Sequence, residues 1–124
     1  SGAFAVEPKA LYSVYMFLEM AGQMLPLAYG GKALTVCNIT CCIDCIDPER
    51  SEWRTMPQTG ERYSVRKPYF VPEHLTSSTL FKIPQMPWDI FCWEEHQEPE
   101  SEFKAFVEAN KLTGLKFELE WTEV

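Results

Sequence analysis

The chain has 124 residues, enough for one domain with a sizeable core, and its 46% hydrophobic and 14% aromatic content means that neither a metal nor a disulfide is required to hold that core. Charged residues make up 23%, an ordinary share, so disorder is not expected along most of the length. Eleven Lys and Arg against 18 Asp and Glu give a formal charge of −7, which disfavours nucleic-acid phosphates and favours a basic partner. The opening residues, Ser1 to Glu7, carry no basic n-region, so no signal peptide is expected. Pro8 suits the first turn of a helix, where its missing N–H is not needed. Leu11, Val14, Tyr15 and Leu18 then share one helical face, while Met16, Phe17 and Met20 make the other side apolar as well. Such a helix is buried on more than one side: under a sheet and, by homodimerisation, against a second copy. Gly22 is the expected stop.

The apolar stretch from Leu11 to Leu27 is broken by Glu19, Gln23 and Pro26, so no membrane span is expected. Met24 to Tyr29, Gly30-Gly31, and Lys32 to Ile39 read as a hairpin, because two glycines supply the positive φ angles of a two-residue turn. Asp47-Pro48-Glu49 reads as a helix start, with Asp47 as cap, leading to a short turn through Trp53 and a polar loop from Thr55 to Glu61. Arg62 to Arg66 alternates like an edge strand ended by Pro68. Tyr69 to Val71 is apolar, and Pro72-Glu73 starts another short turn. Leu80–Ile83 and Asp89–Trp93 are short strands around a turn at Pro84 and Pro87, and His96 to Pro99 is a loop. Pro99 opens a helix with the face Phe103, Phe106 and Val107, and with Glu100 four residues ahead of Lys104. Leu115 to Trp121 alternates most cleanly of all, which predicts a closing strand. The sum is one α+β domain over residues 1–124: a mainly antiparallel sheet, an early buried helix and a late amphipathic helix.

The most crowded segment is Thr35 to Trp53, which holds Cys37, Cys41, Cys42 and Cys45 together with Asp44, Asp47, Glu49 and Glu52. Zinc takes about four N or S ligands in tetrahedral reach, and strong signatures place them on two separated knuckles. Here all four thiols crowd into one short run, and His74, Cys92 and His96 have no ligand spacing. Buried structural cysteines are the favoured reading, with a small metal- or ligand-binding module on the Cys37–Cys45 cluster as the alternative. An odd cysteine count argues against a secreted disulfide scaffold and for a reducing cytoplasm. The acids have plain uses: Asp47 caps, Glu49 meets the helix dipole, Glu52 is solvated, and Asp44 bonds nearby backbone N–H groups. A hydrolase built on Asp44 to Glu52 is the third alternative, and no phosphate loop is present.

One resemblance covers most of the chain. Asn38-Ile39-Thr40, then Asp44, Ile46, Asp47, Glu49 and Ser51, resembles the strand-plus-turn motif of the bacterial immunity protein 11 family of polymorphic toxin systems. Leu80-Phe-Lys-Ile-Pro84 resembles a second family segment, and Glu102 to Phe117 its closing helix, Leu-Thr-Gly-Leu turn and final strand. The extra thiols Cys41, Cys42 and Cys45 are not part of that pattern, and members often carry further N-terminal sequence. The resemblance implies a binding protein rather than an enzyme, with no catalytic residue and no cofactor. It implies that Asn38, Thr40, Asp44, Asp47 and Ser51 are structural. The implied partner is a cognate toxin, and the acidic balance points to a basic one. The expected contact residues are Glu94, Glu95, Glu98 and Glu100 with Trp88 and Trp93.

Overall fold

A computed structural model describes residues 3–75 and 78–120. Strand β1 (Ala3–Val6) leads into helix α1 (Pro8–Ala21), which starts with proline in its first turn and passes into β2 (Gly22–Tyr29) without a loop. Gly30 and Gly31 turn the chain at φ 57° and 77°, as a two-residue hairpin requires, and β3 (Lys32–Ile39) returns alongside β2. The sheet order is β1-β3-β2, antiparallel throughout. Pro26 is tolerated because β2 is an edge strand. β1 was not anticipated from the sequence; its residues join the far side of β3, with Phe4 opposite Cys37.

Alternation splits this sheet into two faces. Cys37, Ile39 and Met24 face α1, whose Val14, Phe17, Leu18 and Ala21 are buried against them. The helix is buried on one face only: Tyr12, Tyr15, Met16 and Met20 on its outer side are exposed. Of the second apolar side that the sequence predicts, Met16 and Met20 are exposed without cover among the described residues, whereas Phe17 turns into the core and Tyr15, expected on the buried face, turns outward.

Two antiparallel hairpins complete the fold: β4 (Glu52–Thr55) with β5 (Arg62–Lys67), and β6 (Leu80–Ile83) with β7 (Met86–Cys92). A 3-10 turn, Pro72–His74, lies between them. Helix α2 (Phe103–Ala109) follows the last strand. The β6–β7 hairpin divides two cores. Leu80, Ile90 and Cys92 pack with α1 and with Phe103 and Val107 of α2, whereas Phe81, Ile83 and Phe91 pack with Cys45, Ile46, Val65 and Phe70. Phe17 meets Phe103 edge-on at 5.8 Å, and Phe70 meets Phe91 at 5.5 Å, so each core has an aromatic centre. Burying one such ring stabilises the fold by about 1.5–3 kcal/mol.

Several expectations need correction. Trp53 lies in β4, not in a helical turn, because its strand pairs with β5 and places Trp53 opposite Val65. Pro87 lies inside β7 rather than in the turn. Helix α2 begins at Phe103, so Glu100 precedes it, and Lys104 pairs with Glu108 at 2.5 Å and Glu94 at 3.7 Å instead. Leu115 to Glu120 forms no strand: Phe117 packs on Phe103 at 6.2 Å, but Leu115 and Leu119 are exposed and no ladder forms among the described residues. Its alternation offers an apolar face, of which Phe117 packs into the core beside α2. Trp121 is outside the described residues.

Candidate functional site

The crowded segment is a junction. After β3, the N–H groups of Thr40 and Cys41 both donate to the Ala21 carbonyl at the end of α1. Ile43 N–H then donates to Lys82 O, and Lys82 N–H to Cys41 O, both at 2.8 Å, which ties the segment to β6. Asp47 N–H donates to Tyr69 O and Val71 N–H to Cys45 O, both at 2.7 Å, around a bridge between Ile46 and Phe70. A stretch of fewer than ten residues thus meets α1, β6 and the segment that follows β5. Asn38 sits in β3 between Ala3 and Gln23, and Thr40 is exposed.

The turn that follows is built by Asp47 and Ser51. Asp47 Oδ1 accepts from the N–H groups of Glu49 at 3.0 Å and Arg50 at 3.3 Å, which is the expected cap. No helix follows the cap: residues 48–50 form a single turn. Ser51 is buried; its N–H and its hydroxyl both donate to Asp47 O, and its Oγ accepts from Tyr69 N–H at 2.9 Å. These bonds divert the chain into β4. Two ring contacts brace the turn: Arg50 over Tyr69 at 4.5 Å, and Arg62 over Trp53 at 4.9 Å. Asp44 is exposed and accepts from Gln85 Nε2 at 3.0 Å, so its partner is a side chain rather than backbone. Glu52 is exposed, as expected, and pairs there with Arg66 at 2.8 Å. We expect Ser51→Ala to cost about 2 kcal/mol in urea unfolding, because it strands the Tyr69 N–H, whereas Ser101→Ala on the surface should stay within about 0.5 kcal/mol.

The thiols do not converge. Cys37 belongs to the core under α1, Cys45 to the other core, Cys41 is half-buried and Cys42 is exposed. Burial raises the Cys37 thiol pKa. Burial, with the Asp44 charge adding to it, pushes Cys45 up to about 11, and burial with the Glu94 charge does the same for Cys92. Such thiols are protonated at neutral pH and are poor nucleophiles and ligands. Among the described residues no group of three or more His, Cys, Asp or Glu comes together around a common point. Cys37 and Cys45 thus lie in separate cores, while Asp44 and Glu52 are engaged by Gln85 and Arg66.

The second region is the acidic loop after β7. Glu94 is half-buried and faces Lys104, while Glu95, Glu98 and Glu100 are exposed. What holds them is Glu102, a residue the sequence does not single out. Its side chain is buried at 3% exposure and turned back into the loop. It accepts from the N–H of Glu95, from that of Glu98 at 2.6 Å, and from that of His96 at 3.2 Å. Burial alone would raise its pKa; the three N–H donors outweigh burial and hold the carboxyl below the ordinary range. Its placement directly before Phe103, at the start of α2, was the available signal. A hollow of about 470 Å³ lies beside the loop, lined by residues including Glu94, Gln97, Lys104 and Glu108.

The two tryptophans part company. Trp93 is half-buried: its N–H continues the ladder to Thr79 O at 3.2 Å and its ring Nε1–H donates to Ser78 O at 2.8 Å, beside the acidic loop. Trp88 is 60% exposed near the turn end of β7, roughly 17 Å away at the usual rise per residue. The structure therefore groups Trp93 with the acids and leaves Trp88 at a distance.

No helix among the described residues is long and apolar enough to cross a membrane. No curated protein and no solved structure matches the chain. A family model does: the Immunity protein family (Imm11), over residues 31–119. That span runs from the β2–β3 turn through the Asp47–Ser51 junction, the β6–β7 hairpin and the acidic loop to the segment after α2, and with most of its length matched, the chain belongs to the Immunity protein family (Imm11).

Proposed function

We propose that this protein neutralises a cognate bacterial toxin by direct contact in the cytoplasm, without catalysing a reaction of its own. Membership of the immunity family carries this reading. The contact surface is the acidic loop, where Glu95, Glu98 and Glu100 stand exposed with Glu94 and Trp93 at their base. Trp88 forms an outlying contact. The formal charge of −7 and the concentration of carboxylates favour a basic toxin face, with the charge speeding encounter. A loop whose backbone is already held by Glu102 loses little conformational freedom on docking, and that lowers the cost of association.

The test is co-expression with the toxin encoded beside the gene. The intact chain should restore growth. A triple variant, Glu95→Lys, Glu98→Lys and Glu100→Lys, should bind the toxin at least about tenfold more weakly while melting like the parent, since all three side chains are exposed. No rescue by the intact chain would sink the functional reading. Rescue unaffected by the triple variant would move the contact surface elsewhere.

A further inference from the structure

Exposed apolar surface is unevenly spread. Twelve large hydrophobic side chains are exposed among the described residues, and seven of them fall within residues 12–29. Four line the outer side of α1: Tyr12 at 90% exposure, Tyr15 at 48%, Met16 at 56% and Met20 at 62%. At about 100° per residue, Tyr12, Tyr15, Met16 and Glu19 form one stripe, with Met20 and Lys9 along its flank. The stripe is not uniform along its length. Its N-terminal half carries Tyr12 and Tyr15 around a hollow of about 360 Å³ lined also by Pro8 and Leu11. Its C-terminal half carries the flexible thioethers Met16 and Met20. Lys9 marks one end and Glu19 the other, both exposed.

These halves complement each other, and a two-fold interface requires self-complementarity. We propose that α1 is a homodimer interface in which two copies of the helix lie antiparallel, across a two-fold axis level with residue 14. That axis sets Met20 over the hollow at the partner's Pro8, Met16 over the partner's Tyr12, and Lys9 beside the partner's Glu19. Methionine fills such gaps and packs well against aromatic edges. A parallel pair would set Glu19 against Glu19 and leave both hollows unfilled. The four apolar side chains offer roughly 500 Å², and the flanking Pro8, Lys9, Ser13 and Glu19 bring this towards the ~800 Å² per partner of a stable interface. The arrangement is independent of the acidic loop and of toxin binding.

Sedimentation velocity of the full chain tests this. The chain should have the mass of two copies at about 100 μM, and Met16→Glu should weaken association at least about tenfold. Met16 is exposed, so thermal melting of the variant should match the parent and separate lost association from lost fold. The charged ends test the antiparallel geometry: Lys9→Glu or Glu19→Lys alone should each weaken the dimer about two- to fivefold, and the double reversal should restore it. Both reversals suit the helix dipole, so neither should harm α1 itself. A chain monomeric at that concentration overturns the proposal. So does a dimer that ignores Met16→Glu but dissociates on Leu25→Glu, which would place the contact on the outer sheet face. If the chain is monomeric and Met16→Glu instead abolishes toxin binding, the face belongs to the toxin and the dimer is refuted.

Discussion

Gly22→Ala should lower stability by about 3 kcal/mol or more. Gly22 lies where α1 becomes β2, opposite Ile39. A Cβ there would stand 2.0 Å from the Asn38 carbonyl oxygen and 2.9 Å from its carbon. Both are backbone atoms held in the sheet, so no side chain can rotate away. The φ of 176° is ordinary extended backbone, and the requirement for glycine is therefore one of space. Relief demands parting β2 from β3 next to Ile39, one of the best-buried side chains. For a domain of this size the melting temperature should fall by about 10 °C or more. Gly30→Ala is the control: its φ is +57° with open space around it, so strain alone should cost about 1 kcal/mol. Equal losses at the two positions would show that the close approach to Asn38 does not matter.

Glu102→Gln should cost about 2–3 kcal/mol near neutral pH, and the loss should fade in acid. The carboxylate is buried and accepts backbone N–H groups from Glu95, His96 and Glu98. A glutamine replaces one of its acceptor oxygens with a donor and removes the charge that strengthens all three bonds. The folded-state pKa of Glu102 is lowered, whereas the unfolded chain has the ordinary value of about 4.3. Below that value the unfolded chain binds the proton more readily than the folded one. The stabilisation is therefore complete above about pH 5 and drains away as pH falls through the lower folded pKa. The stability gap between parent and variant should stay constant above about pH 5 and close as pH falls through the lowered folded-state pKa. A gap that persists undiminished in acid would mean that the ionised carboxylate is not what stabilises the loop. The variant should also weaken toxin binding with every exposed glutamate intact, because the loop that presents them loses its shape.

Local chemistry made some elements legible in advance. Pro8 and Gly22 mark the ends of α1, Gly30-Gly31 marks the β2–β3 turn, and Leu80–Ile83 forms β6 with the expected bounds. The Asp47 cap was legible for the same reason, since it needs only its two following N–H groups. What failed depends on partners far away in the chain. β4 exists because Trp53 pairs with Val65 and Ser51 reaches Tyr69, whereas its own residues follow a helix start. Leu115 to Glu120 has the alternation of a strand but forms no ladder among the described residues. Of the candidate contact residues, the acids and Trp93 lie together after β7, while Trp88 lies near the other end of that strand. Glu102 was hidden because composition cannot distinguish an acid that turns inward from its solvated neighbours. Asp47 and Ser51 serve a local geometry and lie inside the span that the family model matches.

The junction between Thr40 and Asp47 bears on how the chain folds. Its backbone bonds reach Ala21 on one side and Lys82 and Tyr69 on the other, so the two cores share one seam. Neither can open at that seam without breaking bonds that belong to the other, which argues for a single cooperative transition instead of two melting steps. The amides of Ile43, Asp47, Val71 and Lys82 should then exchange with solvent only through global unfolding and share one protection free energy. Closing the seam also requires residues far apart in the chain to meet early. Folding should accordingly be slow for a chain of this size, with the seam formed in the rate-limiting step.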